Sequence, residues 1–254
     1  MKTPKDIKLI RLECGNANAI DHRLLETLAN ALESALQDGT RAVVLTGYDQ
    51  FFSAGLNLRS LPESRQGMIG FVEEFERGLL RVLTYPLPIV AAINGHAIAG
   101  GCVFAAACDW RVAAEGSYRI GLSEVELGLP FPGLALAVMR NTIPERWLTD
   151  LVLGARLLSP AEARTVGLLQ SVVPSERLME EALEQARRLG AKPQPAFRLT
   201  KEAMRKSWIA GVDAIAEEAR QQFMECWFSE EAQQRRETML RPDTPRPTQT
   251  NPQH

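Results

Sequence analysis

The sequence predicts an α/β fold, and two observations carry that reading. A short β-branched run at 41–47, ending in glycine, is followed along the chain by further short strand-like runs at 89–93 and 110–114. Between them lie longer segments whose apolar residues fall at helical spacing, and a strand–helix–strand alternation of this kind belongs to α/β architectures.

Each element follows from the residues in order. Residues 7–13 alternate in strand fashion, and after a turn at Gly15-Asn16 the segment 21–37 places Leu24, Leu25, Leu28, Ala31, Leu32, Ala35 and Leu36 at helical spacing. Asp21 is its N-cap. The run Arg41-Ala42-Val43-Val44-Leu45-Thr46-Gly47 reads as a buried strand. A second helix over 67–83 carries Met68, Phe71, Val72, Phe75, Leu79 and Val82, and Pro86 and Pro88 stop it before the strand 89–93. Asn94-Gly95 turns the chain into a small-residue stretch, 97–107, helical from about Gly101 and followed by the strand 110–114. A short strand at 118–121, a loop at Leu122-Ser123-Glu124 and a helix after Pro132 form a third unit. Ser159-Pro160-Ala161-Glu162 combines a capping serine, a first-turn proline and a reciprocal glutamate, so a helix starts there and ends at Gly167. Val172-Val173-Pro174 closes the region, and Ser175 is expected to cap a helix through Leu189.

The link Lys192-Pro193-Gln194-Pro195 marks a boundary. Residues 1–195 read as the core, 196–240 as helical, and 241–254, proline-rich and polar, as a flexible tail. Phe197, Leu199, Met204, Trp208, Ile215, Phe223, Trp227 and Phe228 carry more apolar surface than a small helical appendage buries within itself, so part of it should meet the core or another subunit.

Composition narrows the function classes. With 45% apolar and 24% charged residues in 254, the chain reads as one globular domain or one domain with a small appendage, which excludes disordered, collagenous and coiled-coil proteins. Its apolar runs are far shorter than the ~20 residues of a membrane span, and Met1-Lys2-Thr3-Pro4-Lys5-Asp6 has no apolar signal core, so a soluble, cytoplasmic protein is expected. Lysine plus arginine (29) against aspartate plus glutamate (31) leaves a formal charge of −2 with no basic block, which disfavours nucleic acid as a partner. Cys14, Cys102, Cys108 and Cys226 are widely spaced and the histidines are His22, His96 and His254, so reduced thiols and no metal are expected.

Two segments share a physical peculiarity. Ser53-Ala54-Gly55-Leu56 and Ala99-Gly100-Gly101-Cys102 each follow an apolar strand and leave backbone N–H groups free of side-chain cover. If the loops converge, the N–H groups of Leu56 and Gly100 could grip one oxygen, the second helped by the positive end of the following helix. Small-residue loops between strand and helix also serve tight turning and close packing, and spacing alone leaves that alternative open.

These residues carry a family resemblance. Leu45-Thr46-Gly47, Phe52-Ser53-Ala54-Gly55-Leu56-Asn57-Leu58, Asn94-Gly95-His96-Ala97-Ile98-Ala99-Gly100-Gly101-Cys102, Cys108-Asp109 and Glu124-Val125-Glu126-Leu127-Gly128-Leu129 follow the motif order of the crotonase superfamily, the enoyl-CoA hydratases and isomerases. The similarity runs across about residues 8–230, and five motifs in register make it specific. The resemblance implies a spiral of ββα units, a C-terminal helical trimerisation region giving a homotrimer or a hexamer built as a dimer of trimers, and an acyl-CoA thioester whose carbonyl oxygen lies between two backbone amides. Those amides fall on Leu56 and Gly100, with Ser53, Ala54, Gly55, Gly101 and Val103 along the substrate. No separate cofactor is implied, because CoA is part of the substrate.

The chain departs from the hydratase pattern at one point. Hydratases add water with two glutamates; the first position falls on Val103 and the second on Glu124. Valine can neither accept nor donate a proton, whereas one carboxylate can take a proton from C2 of a 3-enoyl thioester and return it at C4. The text around Gly100 and Glu124 most resembles the Δ3,Δ2-enoyl-CoA isomerase branch, of the kind that feeds unsaturated fatty acids into β-oxidation. Glu124 would need desolvation to work as a base, which Leu122, Val125, Leu127 and Leu129 could supply. Glu126 is the competing carboxylate and reads as structural or solvated.

Other residues have blander accounts. His96 reads as a packing residue, His22 as exposed, and Cys102 and Cys108 as small buried hydrophobes. Ser53 lacks a histidine clearly placed to activate it as a nucleophile. Arg65, Arg77 and Arg81 could reach CoA phosphates but equally suit a solvated helix face. Alternatives to isomerisation are single-glutamate hydration, thioester hydrolysis, decarboxylation, or a non-catalytic acyl-CoA-binding or RNA-associating relative.

Overall fold

The computed structural model describes residues 4–240, the side chains of 213–216 excepted; the tail expected at 241–254 and the side chain of Ile215 lie outside this range. Five strands, β1 (Ile7–Arg11), β2 (Ala42–Thr46), β4 (Ile89–Ile93), β6 (Trp110–Ala114) and β9 (Ser171–Val173), form an all-parallel sheet in the order β1-β2-β4-β6-β9. The inner strands β2 and β4, covered on both faces, have no solvent side, which is why they read as continuous apolar runs, whereas β1 at the edge keeps Lys8 and Arg11. Val44, Val90, Ala92 and Val112 point to α7 (Leu178–Gly190) through Leu178, Ala182, Leu183 and Ala186. Their neighbours Val43, Leu45, Ala91, Ile93 and Ala113 face the main core.

A second sheet runs beside the first in the order β3 (Phe51–Ser53), β5 (His96–Ile98), β7 (Ile120–Gly121) and β8 (Leu157–Leu158), parallel except for the β7–β8 pair. Chain order and sheet order together define a repeat. Each of β2-β3, β4-β5 and β6-β7 places its first strand in the large sheet and its second in the small one, then passes to a helix: α2 (Arg65–Leu83), α3 (Gly100–Ala107) and α4 (Gly133–Thr142). Three such ββα turns stack as a spiral, preceded by β1 and α1 (His22–Gln37).

Most sequence expectations hold within two residues, and the departures have local causes. Asp21 caps α1 by accepting from the Leu24 N–H at 3.0 Å, and the second helix begins at Arg65 because the Ser64 hydroxyl accepts from the Gly67 N–H at 3.1 Å. α6 (Pro160–Thr165) carries the expected capping box. Ser175 does not cap a helix: its hydroxyl donates to the Glu115 carbonyl at 3.1 Å, a 3-10 turn intervenes, and α7 starts at Leu178. The strands β3, β5 and β8 have two or three residues each, too short to show period-2 alternation, and the strand expected over 118–121 contracts to β7. α5 (Glu145–Leu148) continues into a π-turn over Thr149–Leu153.

Three C-terminal helices follow, α8 (Gln194–Ile209), α9 (Val212–Trp227) and α10 (Glu230–Leu240). They pack on their own chain. Phe223, Met224, Trp227 and Ala232 join the main core, and Arg220 of α9 meets Glu76 of α2 at 3.4 Å. On α8, Lys201 and Arg205 reach Asp109 at 2.7 and 3.6 Å while the Ile89 N–H donates to the same carboxylate at 2.9 Å. This buried cluster ties α8 to the turn between α3 and β6. Among the described residues no helix is long and apolar enough to cross a membrane.

Candidate active site

Parallel neighbours end at the same edge, so the loops that leave them converge. β3, β5 and β7 are consecutive parallel strands, with Ser53 opposite Ala97 and Ile98 opposite Gly121. Leaving that edge side by side are Ala54-Gly55-Leu56, Ala99-Gly100 and Leu122-Ser123-Glu124, with the Gly100 segment in the middle. The topology thus brings together the two small-residue segments and the glutamate, which lie far apart in sequence.

The contact between the first two loops is tight enough to require glycine. Gly55 has φ +84, and a Cβ built on it would stand 2.8 Å from the Ala99 Cβ, 3.0 Å from the Ile98 carbonyl and 3.4 Å from the Gly100 nitrogen. A Cβ on Gly101 would lie 2.4 Å from the Ser53 carbonyl. The Leu56 segment is held from outside: the Ile20 N–H donates to the Gly55 carbonyl at 2.7 Å, the Asn57 N–H to the Ile20 carbonyl at 2.9 Å, and the Asn57 amide to Asp21 at 3.0 Å. Between these bonds the Leu56 N–H donates to no acceptor among the described residues, and neither does that of Gly100. Gly100 opens α3, so its N–H has no intrahelical partner and stands at the helix's positive end.

Ala99, immediately before Gly100, has φ 52 and ψ −128, a conformation costly for any residue with a Cβ. It is imposed from both sides: its N–H donates to the Gly121 carbonyl at 2.8 Å, and its carbonyl accepts from the Val103 N–H at 3.1 Å. The strain sits where the chain must turn sharply from β5 into α3, at the residue before the free Gly100 N–H that opens the helix.

Glu124 enters a 3-10 turn over Val125–Leu127 that Gly128 closes in the left-handed conformation, φ 74. The residue is half-buried, and burial pushes its carboxyl up to about 7, opposed by hydrogen bonds from backbone N–H groups, that of Ser123 at 2.9 Å among them. Its charge reaches Cys102 in the first turn of α3; that thiol is buried and pushed up to about 12, first by burial and then by Glu124. Val103 is buried in the core with no exposed surface. Glu126 points outward, 71% exposed at its side chain, toward Arg235.

The remaining expected residues fall as follows. Ser53 is buried, and its hydroxyl donates to the Asn18 carbonyl at 2.7 Å and accepts from the Gly55 N–H at 3.3 Å, so it shapes the turn into Gly55. Ala54 N–H donates to the Ala17 carbonyl at 3.0 Å. His96 accepts from the Arg119 N–H at 3.0 Å and packs between the Phe51 and Tyr118 rings. His22 is exposed as expected, but pairs with Glu74 and sets its ring edge-on to Phe71. Cys108 is buried, and burial pushes its thiol up to about 12. Arg81 donates to the Ala29 carbonyl at 3.3 Å.

One residue escaped the sequence reading altogether. Asn18, fully buried at φ 47, accepts from the Cys14 N–H at 2.9 Å and donates to the carbonyls of Leu12 at 2.7 Å and Phe52 at 3.3 Å. It fixes the loop that carries Ser53. Its signal was the pair Asn16-Ala17-Asn18 after Gly15, since asparagine tolerates a left-handed backbone and bonds locally.

This arrangement matches known proteins along nearly its whole length. The model of the family described as enoyl-CoA hydratase/isomerase matches residues 2–241. A putative enoyl-CoA hydratase of Thermus thermophilus is 36% identical over 194 residues, covering 74% of this chain and 75% of that protein. The human mitochondrial enoyl-CoA delta isomerase 1 is also 36% identical over 194 residues, covering 75% of this chain and 64% of that protein. The crystal structure of human mitochondrial delta3-delta2-enoyl-CoA isomerase superposes with a TM-score of 0.87 at 31% identity over 93% of each chain. A methylmalonyl-CoA decarboxylase, at 21% identity and a TM-score of 0.84, shares the fold. With three ββα turns, the converged loops of β3, β5 and β7, and these matches, the chain belongs to the enoyl-CoA hydratase/isomerase family, the crotonase superfamily, and is an enzyme of that kind.

Proposed function

We propose that the protein is a CoA-thioester isomerase that moves a double bond from C3 to C2. The observation that carries this reading is a raised carboxyl, Glu124, on the loop that leaves the sheet edge next to a pair of unengaged main-chain N–H groups, with the fully buried Val103 at the first hydratase glutamate position. The thioester oxygen of a 3-enoyl-CoA accepts from the N–H groups of Leu56 and Gly100. Ionised Glu124 removes a proton from C2; the electrons shift toward the thioester oxygen, and the enolate's charge falls on the two amides and the start of α3. Glu124 then returns the same proton to C4, leaving the double bond conjugated at C2. No water is consumed and no further cofactor takes part, CoA being a portion of the substrate.

A carboxyl near 7 suits this work, because it is basic enough to take the proton and acidic enough to give it back. Hydration by two carboxylates lacks its second member here. Names of relatives alone do not separate the reactions, since both hydratases and isomerases are among them. Leu199 and Met204 on α8 are 56% and 59% exposed, which supports assembly as a trimer or a dimer of trimers through the C-terminal helices.

The test is a panel of 2-enoyl, 3-enoyl and saturated CoA thioesters with product analysis for double-bond position and added water. Conversion of 3-enoyl to 2-enoyl thioester with little hydration is expected, with a fall of roughly 10²–10⁴ in Glu124→Gln and little change in Glu126→Gln. Retained turnover in Glu124→Gln, or hydration as the main reaction, would overturn the proposal.

A further inference from the structure

The turn that presents Glu124 meets the core on one side, through Leu127 and the buried Leu122 and Leu129 that flank it, and leaves its other side outward. Val125 is 40% exposed, and the turn's own bonds are local, from Leu127 to Ser123 at 3.2 Å, Gly128 to Val125 at 3.0 Å and Leu129 to Glu124 at 2.9 Å. Outside contacts come from α10. Ala232, with no exposed surface, packs so closely that a Cβ on Gly128 would touch its Cβ at 3.4 Å. One turn later the Arg235 guanidinium donates to the Glu126 main-chain carbonyl at 3.0 Å, while the Glu231 carboxylate fixes it from behind at 3.0 and 3.2 Å. At the far end of the same helix the Leu240 carbonyl accepts from Arg59 at 3.1 Å, in the segment that follows Leu56. α10 is therefore a crossbar whose ends touch the Glu124 turn and the Leu56 loop.

We infer that Arg235 is a positioning residue for Glu124: its bond to the Glu126 carbonyl anchors α10 to the turn and keeps the carboxylate in register with the Leu56 and Gly100 amides. The carbonyl is the contact that matters. The Arg235–Glu126 ion pair spans 3.9 Å between side chains 44% and 71% exposed, and exposed pairs contribute little. A bond to the main chain, two residues from Glu124, restrains the backbone that aims the carboxylate, and a misplacement of about 1 Å can cost on the order of 10² in rate. The other titratable groups at the turn are Cys102 on its inner side and Glu126 and Glu231 on its outer side.

The kinetic test rests on the isomerase reading, and a second readout does not. In Arg235→Ala, kcat for 3-enoyl-CoA isomerisation should fall about tenfold or more with KM within about twofold, and Arg235→Lys should restore part of the loss. Carbon-13 NMR titration of the glutamate carboxyls, with Glu124 assigned through Glu124→Gln, should show the Glu124 titration moving down from about 7 as the loosened turn admits water. If wild-type protein turns over no enoyl thioester, the isomerase reading fails and the titration still decides the role of Arg235. Should Arg235→Ala not fold, Arg235→Gln serves in its place. An unchanged kcat in a protein that isomerises, or an unchanged Glu124 titration in either case, would overturn the inference.

Discussion

A carboxyl held near 7 makes the protein less stable, and that cost can be measured. Between an ordinary value of 4.5 and about 7 in the fold, Glu124 favours its protonated form by roughly 3 kcal/mol at about 1.4 kcal/mol per tenfold. The sign follows from linkage: between those values the native state binds the proton more tightly than the unfolded chain does. Stability from this group is thus whole below about pH 4.5 and lost as pH rises through 7. Glutamine has no proton to lose, so Glu124→Gln should match wild type near pH 4.5 and exceed it at pH 8. Because Glu124 is half-buried and keeps some hydration, we take about half the full figure, roughly 1.5 kcal/mol, or about 3–6 °C in Tm for a chain of this size. Scanning calorimetry of both proteins at the two pH values reads the difference directly. A Glu124→Gln variant no more stable than wild type at pH 8, or equally stabilised at both pH values, would refute the desolvated carboxyl.

Two further outcomes follow from the packing. Asp109→Asn should destabilise the protein by about 3–5 kcal/mol in denaturant melts, because Lys201 and Arg205, with side chains 6% and 9% exposed, lose the carboxylate between them; a loss under about 1 kcal/mol would show that the cluster is not a unit. Gly101→Ala should cost about 1–3 kcal/mol and reduce turnover further than that loss explains, since its Cβ would push at 2.4 Å on the Ser53 carbonyl and spread the two loops; a variant with wild-type Tm and rate would mean the loops yield freely.

Local signals were legible where one residue does the work. Asp21, Ser64 and Ser159 act within their own turn, and the run at 89–93 is apolar on both faces because sheet neighbours and helices cover both. Glu124, Leu56 and Gly100 were reached through motif resemblance, and the sheet then gave a reason for their proximity: β3, β5 and β7 run parallel and release their loops at one edge. The expected cap at Ser175 failed because a distant carbonyl, that of Glu115, competes for its hydroxyl.

Arg235, Ala232 and Arg59 carry no signal in the sequence, because the carbonyls and turn they meet belong to segments about a hundred or more residues away. Periodicity, caps and small-residue turns are properties of a few neighbouring residues, so the chain alone determined most strands of the large sheet, most of its helices and the chemical type of its loops, whereas β3, β5 and β8 of the small sheet were too short to show. Which loops meet, how far a carboxyl is withdrawn from water, and that α10 lies across its own glutamate turn depend on contacts between remote segments. Those arise only when the strands have found their order.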